Sequence, residues 1–161
     1  MTDTSARTVL RPMRPDEYPA FVESSKAGYA HDIAVHGGET EEFARQKSEE
    51  DHAAILPQGL DTPGHWIFVV EADGEPVGTL WLAERPHGRE RECYIYGIEI
   101  DEAQRGRGYG RAAMELAEAE ARSHGLHRIA LNVFGGNEVA RNLYRSLGYA
   151  ESAVHMAKDI D

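Results

Sequence analysis

The chain has 161 residues, 41% hydrophobic and 28% charged, with 17 basic against 28 acidic side chains and a formal net charge of −11. Those proportions describe a globular fold, expected to be a single domain over residues 1–161 with enough apolar mass for a core. They exclude the broad basic surface that nucleic acid demands, and no apolar run approaches the ~18 residues of a membrane-spanning helix.

The opening "MTDTSARTVLRPMRPDE" has no apolar centre and does not read as a secretory signal. The lone Cys93 has no partner for an internal disulfide, so a reducing cytoplasm is the expected location. The negative balance reads first as a solubility device and second as attraction for a cationic partner. Within this stretch "ARTVLRPMR" alternates as a first strand. A helix then starts near Asp16, after Pro15, and stops at Gly37-Gly38. "ETEEFARQKSEEDHAAIL" is a second, acidic helix whose narrow apolar stripe is Phe43, Ala44, Lys47, Ala54 and Ile55. Its run from Glu39 to Asp51 reads as a solvated face before it reads as a lure for a cation.

Beyond the loop "PQGLDTPG" the period changes from helical to alternating. "HWIFVVEADGEPVGTLWLAER" is two strands around a turn at Asp73-Gly74. "PHGRERE" reads as a loop and "CYIYGIEID" as the next strand. In "GRAAMELAEAEARSHG", Ala113, Leu116, Ala117 and Ala121 recur at helical spacing, and Gly125 is the stop. "HRIALNVF" is a further strand. "GGNEVARNLYRSLGY" is a helix capped by Asn137 and closed by Gly148, with Val139, Ala140, Leu143, Tyr144 and Leu147 on its apolar face. "VHMAKDI" reads as a last strand. This order of elements is that of a mixed α/β or α+β domain. Trp66 and Trp81 fall on the hairpin strands and are expected in the core. The eight histidines show no tight metal-ligand spacing, so no metal is expected.

The stretch "QRGRGYGR", residues 104–111, interleaves three arginines with three glycines between a strand and a helix. A helix N-terminus presents unpaired N–H groups and partial positive charge to phosphate. Gly106, Gly108 and Gly110 bring backbone amides close to a ligand, and Arg105, Arg107 and Arg111 add charge. No Gly-Lys-Ser or Gly-Lys-Thr exists here, so this is no P-loop. In a G-x-G-x-x-G count from Gly106 the third glycine is Arg111, which disfavours a dinucleotide fold. The spacing that fits is Arg105-x-x-Gly108-x-Gly110. With Asn137, Ala140, Leu143 and Tyr144 in the later helix, it resembles the two signatures of the GNAT (GCN5-related) N-acetyltransferases. The likeness spans residues 8–158 and is tightest over 93–149.

The resemblance implies a mostly antiparallel sheet whose fourth and fifth strands splay apart, flanked by helices, with acyl-CoA in the notch. The amides of Gly106, Arg107, Gly108, Tyr109, Gly110 and Arg111, with Arg105, would hold the pyrophosphate. Backbone groups of Ile98 and Ile100 would pair with the pantetheine, as in β-augmentation. Asn137 would cap its helix, contact the pantetheine arm, or do both. Tyr144 would donate a proton to the departing thiolate. The acceptor ammonium, of pKa ~10.4, must lose a proton. Where many relatives carry a carboxylate, at the start of the fourth strand, this sequence has Tyr94. Strict alternation sets Glu99 on the face opposite Tyr94 and Tyr96, and a β-bulge at Gly97 would reverse that. Glu99, directly or through water, and Tyr94 are the two candidate bases. A covalent role for Cys93 ranks below direct transfer. The implied activity is transfer of acetyl from acetyl-CoA to a primary amine in a ternary complex. The alternative is a non-catalytic acyl-CoA sensor of the same fold. Acceptor identity and homodimerisation stay open.

Overall fold

Asp73 and Gly74 both adopt left-handed backbone angles (φ 53° and 81°), and the tight turn they make starts an antiparallel meander. The computed structural model describes residues 7–161. β1 (Thr8–Pro12), β2 (His65–Ala72), β3 (Glu75–His87) and β4 (Glu90–Ile100) lie side by side in that order, all antiparallel. β5 (Ile129–Leu131) joins the far side of β4 in parallel, giving a mixed five-stranded sheet. The helices are α1 (Tyr18–Gly37), α2 (Glu41–Ile55), α3 (Tyr109–Ser123) and α4 (Glu138–Ser146).

Alternation along the strands sorts the core into two layers. Phe68, Val70, Leu80, Leu82, Cys93 and Ile95 face α3, which answers with Ala113, Met114, Ala117 and Ala121. Small alanines let the helix approach the sheet closely, and each large side chain such as Leu80 or Met114, both fully buried, contributes about 1.5–3 kcal/mol by leaving water. On the opposite face Ile67, Val69 and Trp81 pack with Phe21 of α1 and Leu56, just past α2.

The expected helices and the first five strands form, the fifth only over Ile129–Leu131, with four further differences in detail. The α2 stripe is not the expected one: Phe43 is exposed, and the buried positions are Ala44, Ser48 and His52 at four-residue spacing. Ser48 and His52 are polar, so the pattern is invisible to hydropathy, but both are satisfied. Ser48 Oγ donates to Lys26 O, and His52 bridges Ser48 O and Ser25 Oγ. The expected loop "PHGRERE" is mostly strand, because Arg85 and Arg91 pair with glutamates across the β3–β4 ladder and carry it out to His87 and Glu90. The expected last strand at "VHMAKDI" does not form: residues 150–161 are irregular and exposed. Val139, placed on the apolar face of α4, is also exposed.

Candidate active site

β4 holds two neighbours only briefly. Cys93, Tyr94 and Ile95 pair with Ile129, Ala130 and Leu131, and there β5 ends while β4 runs on to Ile100 with β3 alone. The backbone of β4 from Tyr96 to Ile100 therefore has an open side. A cavity of about 660 Å3 lies at this fork, bordered by α1, α2, β4 and α4.

The β3–β4 register jumps here: Trp81 pairs with Gly97, but Leu82 pairs with Ile95, leaving Tyr96 as an extra residue. A single extra residue reverses the parity of everything after it. Tyr94 and Tyr96 face the α1–α2 side, where Tyr96 stacks on Trp81 at 4.7 Å. Ile98 then turns to the α3 side. Glu99 turns to the α1 side, where Ser24 Oγ donates to its Oε2 at 3.1 Å. Gly78 of β3 makes this possible: a Cβ there would collide with the carbonyl oxygen of Glu99.

The glycine loop behaves as a helix cap. Gly106 and Gly108 have φ of 77° and 86°, and Gly108 is the N-cap of α3. The N–H groups of Tyr109, Gly110 and Arg111 start the helix and have no carbonyl within it to bond. The Tyr109 ring packs inward on the α3 core, so only its backbone is offered. The three arginines divide their work. Arg105 Nε donates to Ile100 O (2.9 Å), tying the loop to β4, and Arg111 donates to Ser146 Oγ (2.6 Å), tying α3 to α4. Arg107 is exposed and makes no hydrogen bond or ion pair among the described residues.

Asn137 caps α4: its Oδ1 accepts from Ala140 N–H at 3.3 Å. Tyr144 borders the cavity, and burial, reinforced by Asp32, raises its hydroxyl above the usual tyrosine value. It therefore stays a donor at neutral pH. Tyr94 is raised too, mainly by burial, although the Arg85 guanidinium lies 3.7 Å from its ring centroid. Cys93 points to the α3 core, away from the cavity, and burial pushes its thiol up to about 11.

Several residues of the cavity are not marked by any motif. Asp32 of α1 borders it with no hydrogen bond or salt bridge among the described residues, and burial raises its carboxyl against the opposing pull of His36 and His31. Tyr29 donates to Asp51 Oδ2 (2.9 Å), so one residue of the acidic run does reach the cavity. Helix periodicity puts Ser25, Tyr29 and Asp32 on one face of α1, and the packing of α1 turns that face to the cavity. Trp81 borders the cavity from the core, whereas Trp66 stacks on His124 on the other side of the sheet. Among the described residues no group of three or more His, Cys, Asp or Glu side chains could hold a metal, and no helix is long and apolar enough to cross a membrane.

A splayed parallel pair, a bulge in one of its two strands and a glycine-capped helix define an acyl-CoA acyltransferase fold. A sequence model of the "Acetyltransferase (GNAT) family" matches residues 33–149. N-acetyltransferase YdgE of Bacillus subtilis is 35% identical over 94% of this chain and 97% of its own. N-acetyltransferase YycN of the same organism is 31% identical over 94% and 98%. The crystal structure of YycN superposes with a TM-score of 0.89, covering 95% of this chain and 98% of that one. The chain belongs to the GNAT acetyltransferase family. It is an acetyl-CoA-dependent N-acetyltransferase, which retires the reading as a non-catalytic sensor.

Proposed function

We propose that acetyl-CoA and a primary amine occupy the cavity together and that acetyl passes directly from sulfur to nitrogen. The observation that carries this reading is the Tyr96 bulge. It turns Glu99 toward α1 at the very segment of β4 whose other edge is unpaired, so a carboxylate and a free strand edge border one cavity. The pantetheine arm would pair with the open backbone of Ile98 and Ile100. The pyrophosphate would rest on the first-turn amides of α3, with Arg107 as its free cation.

In the transfer, Glu99 takes a proton from the acceptor ammonium, directly or through a water. The freed nitrogen attacks the thioester carbonyl carbon, the C–S bond breaks, the Tyr144 hydroxyl gives its proton to the leaving thiolate, and the proton that the new amide nitrogen sheds restores the Tyr144 hydroxyl through solvent. Tyr94 is the poorer base, since burial keeps its hydroxyl protonated. Holding both reactants in one fork supplies much of the acceleration. Asp32, Asp51 and the rings of Tyr29, Tyr96 and Trp81 favour a compact cationic acceptor. The test is release of free thiol from acetyl-CoA across a panel of amines. Amine-dependent release, strongest with cationic acceptors, is expected. Release at the same rate without an amine would contradict the reading.

A further inference from the structure

A glycine inside a helix or a strand weakens it, because the bare backbone loses the most freedom on folding and brings no side chain to pack. The fold requires one where the backbone turns left-handed or where a neighbour comes too close for a Cβ. Gly78 is of the second kind, since a Cβ there would strike the Glu99 carbonyl oxygen. Gly28 and Gly97 answer to neither reason. Gly28 stands in the middle of α1 and Gly97 inside β4, neither has a positive φ, and a Cβ on either would meet no atom within 4 Å. The fold alone would accept alanine at both positions.

Both glycines border the same cavity. On α1, Phe21, Ser25, Gly28 and Asp32 follow at steps of four, three and four, so they form one stripe, and that stripe meets the cavity. On β4, Gly97 pairs with Trp81, and residues directly opposite in a ladder share a face. Trp81 packs on the α1–α2 side, so the vacant position of Gly97 lies on that side too. The helix wall and the sheet wall therefore each lack one side chain over one space. Tyr29 follows Gly28 and Tyr96 precedes Gly97, so each gap is one residue wide beside a ring. Ser24, whose hydroxyl holds Glu99, stands about one helical turn before Gly28, which sets the gap beside that carboxylate.

We propose that the space left by Gly28 and Gly97 is the slot of the acceptor, and that it selects a primary amine on an unbranched carbon, R–CH2–NH2. The inference rests on the transfer reading above and names its substrate class. The slot belongs to the acceptor because it opens on the α1 face of the sheet, whereas the groups that would hold pantetheine are backbone atoms along the edge of β4. A group arriving on that face meets the Glu99 carboxylate and, one turn beyond Gly28, Asp32. A gap one side chain wide passes a methylene chain. A methyl branch beside the nitrogen meets the Tyr29 or the Tyr96 ring. The bonds made and broken are those of the transfer already described.

The test compound is 1,4-diaminopentane, which carries an unbranched amine at one end, a methyl-branched amine at the other, and equal charge on both. After reaction with acetyl-CoA the acetylated nitrogen is identified by NMR. Acetyl on the C1 nitrogen alone is expected, and acetyl on both nitrogens alike would overturn the proposal. So would transfer to neither, and thiol release across the panel of amines then shows how far the failure reaches. Release with another amine sinks the slot alone; silence throughout sinks the transfer reading with it. Gly28→Ala and Gly97→Ala should each lower kcat/KM for this amine by roughly 10-fold to 200-fold, the worth of one misplaced methyl group, with the Kd for acetyl-CoA unchanged. Neither variant should melt below the native protein, and Gly28→Ala should melt about 2–4 °C above it, as alanine for glycine inside a helix does. A Kd for acetyl-CoA raised by the same factor would give the space to the cofactor, and a lower melting temperature would make the glycine structural. Either result overturns the proposal.

Discussion

Ser24 of α1 donates a 3.1 Å hydrogen bond to Glu99 of β4, a residue 75 positions further along the chain. The contact exists because Tyr96 is looped out of register; without that extra residue Glu99 would face α3. Glu99→Gln should lower kcat by roughly 10²–10⁴, the usual worth of a general base, and leave acetyl-CoA affinity nearly unchanged. Ser24→Ala, which frees the carboxylate without removing it, should cost about tenfold or less. Steady-state kinetics beside equilibrium binding separate the two. Equal losses in kcat and in affinity for Glu99→Gln would make it a structural residue.

Tyr144 should show itself in the alkaline limb of the rate profile. Burial first, and Asp32 second, hold its hydroxyl above the ordinary tyrosine value of ~10, so it is a competent donor at every pH below that. Tyr144→Phe should lower kcat by about 10-fold to 100-fold and abolish the limb, with acetyl-CoA binding spared. A variant whose turnover matches the native protein would remove Tyr144 from the mechanism.

Arg107 is the loop arginine with no protein partner, so its loss should fall on the ligand. Arg107→Ala should raise the Kd for acetyl-CoA by roughly tenfold, about the worth of a charge-assisted hydrogen bond, and leave the melting temperature unmoved. Arg111→Ala should instead lower the melting temperature, since Arg111 is bonded to Ser146. Calorimetry on both variants checks the division. An unchanged Kd for Arg107→Ala would contradict it.

Glu92 is the acid-sensitive joint of the sheet. It is 1% exposed, and Arg85 and Arg128 bond its two oxygens at 2.8 and 2.7 Å. Burial pushes its carboxyl up, but the hydrogen bonds from Arg85 and Arg128 outweigh that, and the net shift is downward. Because the folded value lies below the unfolded one, the contribution to stability is present above the unfolded pKa of ~4.3 and is lost as pH falls through the lower folded value. Glu92→Gln should destabilise the protein at neutral pH by about 2–4 kcal/mol, toward the low end for a broken buried pair because the arginines reach water. Its melting temperature should also depend less on acid pH than that of the native protein. Parallel acid profiles for the two proteins would show that Glu92 is not the sensitive group.

Much of this architecture was legible because it rests on local patterns. Asp73-Gly74 can hardly be anything but a tight turn, and the stop at Gly125 and the cap at Asn137 follow from backbone chemistry. The Arg105, Gly108, Gly110 spacing pointed to the helix cap, and Gly97 drew attention to the bulge, although the extra residue is its neighbour Tyr96. What stayed hidden depends on contacts distant in sequence. The Ser48 and His52 stripe looks polar until Lys26 and Ser25 are seen to satisfy it. Nothing local foretells that Arg105 and Arg111 also bond Ile100 O and Ser146 Oγ. Asp32 belongs to no pattern and is brought to the cavity only by the packing of α1. The strand pattern of residues 150–161 is genuine in the sequence, but its own chain provides no edge that it pairs with.

In the proposed reaction acetyl passes directly from sulfur to nitrogen within one ternary complex, with Cys93 taking no part. Initial rates measured over a grid of acetyl-CoA and amine concentrations test it most directly. Double-reciprocal lines that intersect, and that still intersect in Cys93→Ala at near-native kcat, are the predicted result. Parallel lines, the mark of a covalent acetyl-enzyme released before the amine binds, would contradict it.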